Sequence, residues 1–186
     1  MTAVIKISPN LEEFLKLPET EPPCEYINKE IIQKAMPQGE HSRLQGKLCN
    51  VINQIVETPK IAYAFPELRC TFGGVSLVPD VAVFRWERIP FLPSGRIANR
   101  FEIYPDWAIE ILSPGQSQTK VLAKLLACSQ QGTELGWLMI PEEESILAVF
   151  PGQRVEFYEG ATNLPILNGI ELELTVETVF SWLSFS

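Results

Sequence analysis

The chain has 186 residues, 46% of them hydrophobic and 20% charged, with a formal net charge of −8. These values suit one folded domain, spanning residues 1–186, with a sizeable core. They exclude a helical membrane span, since no apolar run approaches the roughly 18 residues required, and argue against tight, indiscriminate DNA binding, which takes many phosphate-neutralising cations. The charge is lopsided. From Glu134 onward nine glutamates stand against one basic residue, Arg154, while residues 1–133 carry equal numbers of acidic and basic side chains. The start, MTAVIKISPN, has no basic segment followed by an apolar block and does not read as a signal peptide. The scattered Cys24, Cys49, Cys70 and Cys128 form no CxxC pair. They read as reduced, buried thiols of a cytoplasmic protein rather than as zinc ligands.

In chain order, Ser8 to Leu17 predicts a short helix, with Asn10 as N-cap and Glu12 and Glu13 in its first turn. Cys24 to Met36 predicts a hairpin turning near Asn28-Lys29. Glu40 to Val56 is helical, because Leu44, Leu48, Ile52 and Ile55 form one stripe. Ile61 to Phe65 and Glu67 to Phe72 read as strands. Gly73-Gly74 then turns the chain into a single run from Val75 to Trp86. A loop rich in Pro, Gly and Arg (Ile89 to Asn99) leads to Trp107 to Leu112, apolar except for Glu110, as in a central strand. Ser117 caps a second helix that ends at Gly132. Gly136 to Ile140 is a buried strand, and Ile146 to Phe150 with Arg154 to Tyr158 an edge hairpin. A last strand (Ile170 to Leu174) and a short helix through Trp182 complete a mixed sheet flanked by helices, of α/β or α+β class.

Two acids stand where acids are costly. Asp80 interrupts the apolar run VSLVPDVAVFRW. In DWAIEILSP, Asp106, Ala108, Glu110 and Leu112 point to one face and Trp107, Ile109 and Ile111 to the other. Unpaired buried charges cost several kcal/mol or more. If the two strands are neighbours, Asp80 and Glu110 converge, and a shared Mg²⁺ or Mn²⁺ would relieve their repulsion. Lys120 and Lys124 lie four apart on the following helix, on a stripe distinct from its core face of Val121, Leu122, Leu125 and Leu126. The alternatives are a turn cap or arginine partner for Asp80, a Glu110–Lys124 ion pair, and solvated lysines.

These residues resemble a known family. PDVAVF, then DWAIEILSPGQSQTK with a second lysine in AK, then GTELGWLMIP with an acidic turn, is similar to the Uma-type restriction-endonuclease-like family of the PD-(D/E)XK nuclease superfamily. The opening LEEFLKLPETEPPCEYINKEIIQKAMP, followed by His41 and Gln45 on a helix, fits the same family. The resemblance implies a mixed central sheet and Mg²⁺-dependent (or Mn²⁺-dependent) phosphodiester hydrolysis. Asp80 matches the PD acid and Glu110 the (D/E) acid, both as metal ligands, with the Ile111 carbonyl completing the shell. Leu112 stands where the superfamily lysine usually lies, and Lys124 takes that role from the helix. Lys120 replaces an acid and Cys128 a tyrosine of many relatives. In the nuclease reading Glu25, His41, Gln45 and Lys120 would be auxiliary groups around the metal pocket; the alternative for Glu25 is a charge on the hairpin.

Other chemistries have less support. A Ser–His–acid triad would need His41, the only histidine, yet no GxSxG motif supplies a serine. No GxxxxGK loop supports P-loop NTP hydrolysis. Arg85, Arg88, Arg96 and Arg100 are candidates for nucleic-acid phosphates, against a solvated loop. Trp86, Phe91 and Trp107 could stack on bases or pack in the core. Apolar ends in the C-terminal third (Leu147, Val149, Phe157, Trp182) suggest a homodimer. The reading from another class is a nuclease fold kept as a catalytically silent binding or assembly module. The displaced lysine and acidic C-terminal third favour it, and the intact acids favour the enzyme.

Overall fold

The computed structural model describes residues 9–185. Helix α1 (Leu11–Phe14) is shorter than expected, with Asn10 as N-cap in a capping box with Glu13. Ser8, its predicted start, lies outside the described residues. Strands β1 (Cys24–Ile27) and β2 (Glu30–Gln33) form the predicted hairpin, with Asn28 and Lys29 both at positive φ. Helix α2 (Gly39–Val56) buries His41, Leu44, Leu48, Ile52 and Val56 along one side. Then come β3 (Ala62–Pro66), β4 (Cys70–Phe72), β5 (Val75–Leu77), β6 (Val81–Arg85) and β7 (Trp107–Ile111). Helix α3 (Gln118–Gln131) starts at the Ser117 side-chain cap and ends at Gly132, whose φ of 122° suits glycine. Strands β8 (Leu135–Ile140), β9 (Ser145–Phe150) and β10 (Arg154–Glu159) precede α4 (Val176–Ser181).

The strands form two sheets: β2-β1-β5-β4, and β10-β9-β8-β7-β6-β3. In the larger one only β7 and β8 are parallel, with α3 as their crossover. One face buries Val81, Val83, Trp107, Ile109 and Trp137 against α2 and α4. The other packs Ala108, Leu138 and Val149 against Val121 and Leu125 of α3. The side-chain alternation expected for residues 106–112 is thus observed.

Three expectations are corrected. The run from Val75 to Trp86 is two strands in two sheets, broken at Val78-Pro79-Asp80. Proline has no N–H for a central ladder, so the break is chemically sensible. Residues 170–174 are not a strand: Ile170 and Leu174 are buried, but the segment bonds locally and to Leu164. Only Cys70 and Cys128 are buried; Cys24 and Cys49 are half-buried, and all four are free.

Candidate metal-dependent active site

The break between β5 and β6 makes the site. Val81 pairs with Ile109 in the β6–β7 ladder, and both face α2. The residue just before β6, Asp80, and the one after Ile109 on β7, Glu110, therefore face the opposite way and line one cavity. The Asp80 carbonyl accepts from Gln45 Nε2 at 2.8 Å and from Glu67 N at 3.2 Å, which fixes the backbone. Its carboxylate Oδ2 accepts the Ile111 N–H at 2.7 Å and lies 3.1 Å from His41 Nε2. Oδ1 lies 2.6 Å from Lys34 Nζ, which also donates to the Val78 carbonyl at 2.7 Å.

Glu110 meets a different cation. Lys124, from the second turn of α3, lies 2.7 Å from Glu110 Oε1 and 2.5 Å from Glu25 Oε1. Glu25 Oε1 also accepts the Val78 N–H at 2.6 Å. The Lys124–Glu110 approach is close but off the hydrogen-bond direction, and Glu110 Oε1 and His41 Nδ1 have no hydrogen-bond partner among the described residues. Three carboxylates and two ammonium groups, all at most 8% exposed, line a cavity of about 250 Å³. Gln116, Ser117 and the exposed Lys120 also line it.

Electrostatics divide the two acids. Burial pushes Asp80 up, but the His41 hydrogen bond, Lys34 and, more weakly, Lys124 outweigh it and hold the carboxyl below its usual range. Glu110 goes the other way. Burial raises it to about 7, with Lys124 pulling down and Asp80 pushing up. Burial would lower Lys124, but Glu110, Glu25 and Asp80 together keep it firmly protonated.

The three buried carboxylates outnumber the two buried ammonium groups, Lys34 and Lys124, while the third lysine of the lining, Lys120, is exposed at the rim. Among the described residues no group of three or more His, Cys, Asp or Glu side chains forms a ready metal shell. The donors nonetheless fit a hard divalent cation. Asp80 and Glu110 supply carboxylate oxygens, Ile111 lines the same cavity, and the buried Glu110 Oε1 accepts no hydrogen bond among the described residues. Such ions take few protein oxygens and keep several waters.

The Uma2 family, described as "Putative restriction endonuclease", matches residues 11–177. The chain belongs to the Uma2 family. It is 51% identical to a protein from Anabaena variabilis ATCC 29413 whose crystal structure is described as that of a "putative nuclease". That match covers 95% of this chain and 99% of the other, with a TM-score of 0.92. No curated protein matches. The mixed α/β architecture expected from the resemblance is thus the architecture found.

The fold of this Uma2 chain brings together Glu25, His41, Gln45, Asp80, Glu110, Ile111 and Lys124, with Lys120 at the rim. It does not bring the arginines there. Arg85 and Arg88 lie at the far end of β6, about 16 Å along the strand from Asp80 at ~3.3 Å per residue. Arg85 is bound to Glu134 and to the Asn168 carbonyl. Arg88 is bound to Asp106 at 2.5 Å and to the Tyr104 carbonyl. Arg96 and Arg100 are exposed in the loop between β6 and β7. Trp107 is wholly buried, against Trp137. Lys34 escapes the sequence reading. It follows an exposed hairpin strand with no apolar periodicity, so nothing local distinguishes it from a solvated lysine.

Proposed function

We propose that the chain is a metal-dependent endonuclease that hydrolyses phosphodiester bonds in nucleic acid, with Asp80 and Glu110 holding Mg²⁺ or Mn²⁺. The single observation carrying this reading is the placement of Asp80, just before β6, and Glu110, on the neighbouring β7, in one cavity, with Lys124 2.7 Å from Glu110. Membership of the Uma2 family and the nuclease description of the Anabaena protein support it. When bound, the cation supplies positive charge for a phosphate oxyanion and lowers the pKa of water.

The chain's own residues do the rest. Asp80 is kept ionised by His41 and Lys34, so it is a ready anionic ligand. Lys124 stays protonated, and its ammonium orients water and steadies charge that develops on phosphate. Lys120 and the N-terminal turn of α3 form the rim that meets the phosphate backbone. The β1–β2 hairpin, carrying Glu25, closes one wall.

The test is cleavage of single-stranded DNA, duplex DNA and RNA with Mg²⁺ or Mn²⁺, and with EDTA. Metal-dependent products from the wild type, absent in Asp80→Ala and Glu110→Ala, are expected. Equal products from all three proteins would contradict the assignment. No products, with cation still bound, would favour a silent binding module.

We also propose a cytoplasmic homodimer. The support is the terminal strand β10, which leaves Val155 and Phe157 exposed, Phe157 at 56%. Val149, also expected on this surface, is instead buried in the core beside α3. Sedimentation at micromolar concentration should give twice the chain mass, and a monomer would contradict it.

A further inference from the structure

Lys34 holds the one Asp80 oxygen left for a ligand. Oδ2 already accepts the Ile111 N–H and faces His41. Oδ1 has the Lys34 ammonium at 2.6 Å. A divalent cation bonded to Oδ1 at roughly 2.0–2.6 Å would lie within about 5 Å of that ammonium. Both are positive, the surroundings are buried, and the repulsion is barely screened.

We propose that Lys34 is an internal counter-ion that occupies the cation position beside Asp80, and that a divalent cation must displace it to bind. This rests on Asp80 being a metal ligand, as read above, and adds a gate to that site.

The two buried lysines differ in what they keep. When Glu110 turns to a cation, Lys124 retains a full carboxylate partner, Glu25, at 2.5 Å. When Asp80 turns to a cation, the one hydrogen-bond partner left to Lys34 among the described residues is the neutral Val78 carbonyl. Lys34 is therefore the group that leaves. Its route is short. It sits immediately after β2, the terminal strand of the smaller sheet, whose four residues are all exposed and whose ladder partner is β1. Its side chain lines the open cavity and has an unbranched stem that can swing to water. Asp80 thus has a partner whether or not a cation is bound. The metal-free chain avoids the cost of an unpaired buried carboxylate, at the expense of weaker cation binding.

Two measurements test this on the full chain. The first is calorimetric titration of Ca²⁺ and Mn²⁺ into the wild type and Lys34→Met. Removing the competitor should tighten binding by about tenfold or more. The second keeps Lys34 in place: amine acetylation of the wild type, read by mass spectrometry with and without Ca²⁺. Lys34 should be protected in the metal-free protein and acetylated several-fold faster at saturating Ca²⁺, with Lys124 protected in both states. Saturable binding of equal strength in both proteins, with Lys34 still protected, overturns the gate and leaves the metal site standing. No binding to either protein overturns both.

Discussion

Asp80 Oδ2 accepts the backbone N–H of Ile111 at 2.7 Å. The contact joins the break between the two sheets to the end of the central strand β7, so the proposed metal ligand also braces the fold. Asp80→Ala leaves the Lys34 ammonium buried without a carboxylate and the Ile111 N–H without an acceptor. Breaking a buried pair from one side costs about 3–5 kcal/mol. Asp80→Asn keeps the shape and an acceptor for Ile111. Urea unfolding should place Asp80→Asn between the wild type and Asp80→Ala. A wild-type midpoint for Asp80→Ala would refute the bracing role.

Lys124 and Lys120 should separate cleanly. Lys124→Met leaves Glu25 and Glu110 buried around a neutral side chain, and about 3 kcal/mol or more of stability should be lost together with cleavage. Lys120 is exposed at the rim, so Lys120→Met should change stability by no more than about 0.5 kcal/mol. Chemical denaturation of the two variants side by side decides this. Equal losses would mean that Lys124 is not the buried partner described.

Glu110 should make stability depend on pH near neutrality. Its folded pKa of about 7 lies above the ordinary carboxylate value, so the folded chain holds a proton that the unfolded chain has released. The sign follows from proton linkage: Glu110 favours the fold fully below about pH 4.5, and the benefit is lost as pH rises toward 7. Asp80, held low, acts oppositely and costs stability only under stronger acid. Thermal unfolding between pH 5 and 7 should show stability falling with pH in the wild type and a flatter profile in Glu110→Gln. Identical profiles would refute the shift at Glu110.

Arg88 marks the limit of the site. It braces Asp106 at the end of the sheet away from Asp80. Arg88→Ala should lower stability by about 1–3 kcal/mol, by leaving Asp106 short of a charged donor, while leaving the salt dependence of nucleic-acid binding unchanged. A reduced salt slope would return Arg88 to the binding surface.

Much of this arrangement was legible in the sequence. The stripe on α2, the Ser117 cap of α3 and the alternation through Trp107, Ile109 and Ile111 each report burial directly, and each is found. Asp80 and Glu110 announced themselves as acids inside apolar runs. The misses have a common cause. Alternation in residues 170–174 tells which side chains are buried, but not whether a neighbouring strand offers its hydrogen bonds. The apolar run from Val75 to Trp86 hid a change of sheet that Pro79 signalled. Lys34 is defined by partners 44 and 46 residues away, Val78 and Asp80, and no local pattern carries that information.

In the proposed enzyme Asp80 and Glu110 share one cation. Anomalous diffraction from crystals soaked in Mn²⁺ tests it most directly. One peak within roughly 2.0–2.6 Å of oxygens from both residues is the expected result. A peak bonded to neither, or fully occupied Mn²⁺ elsewhere with Lys34 and Lys124 still seated on the two acids, would contradict it.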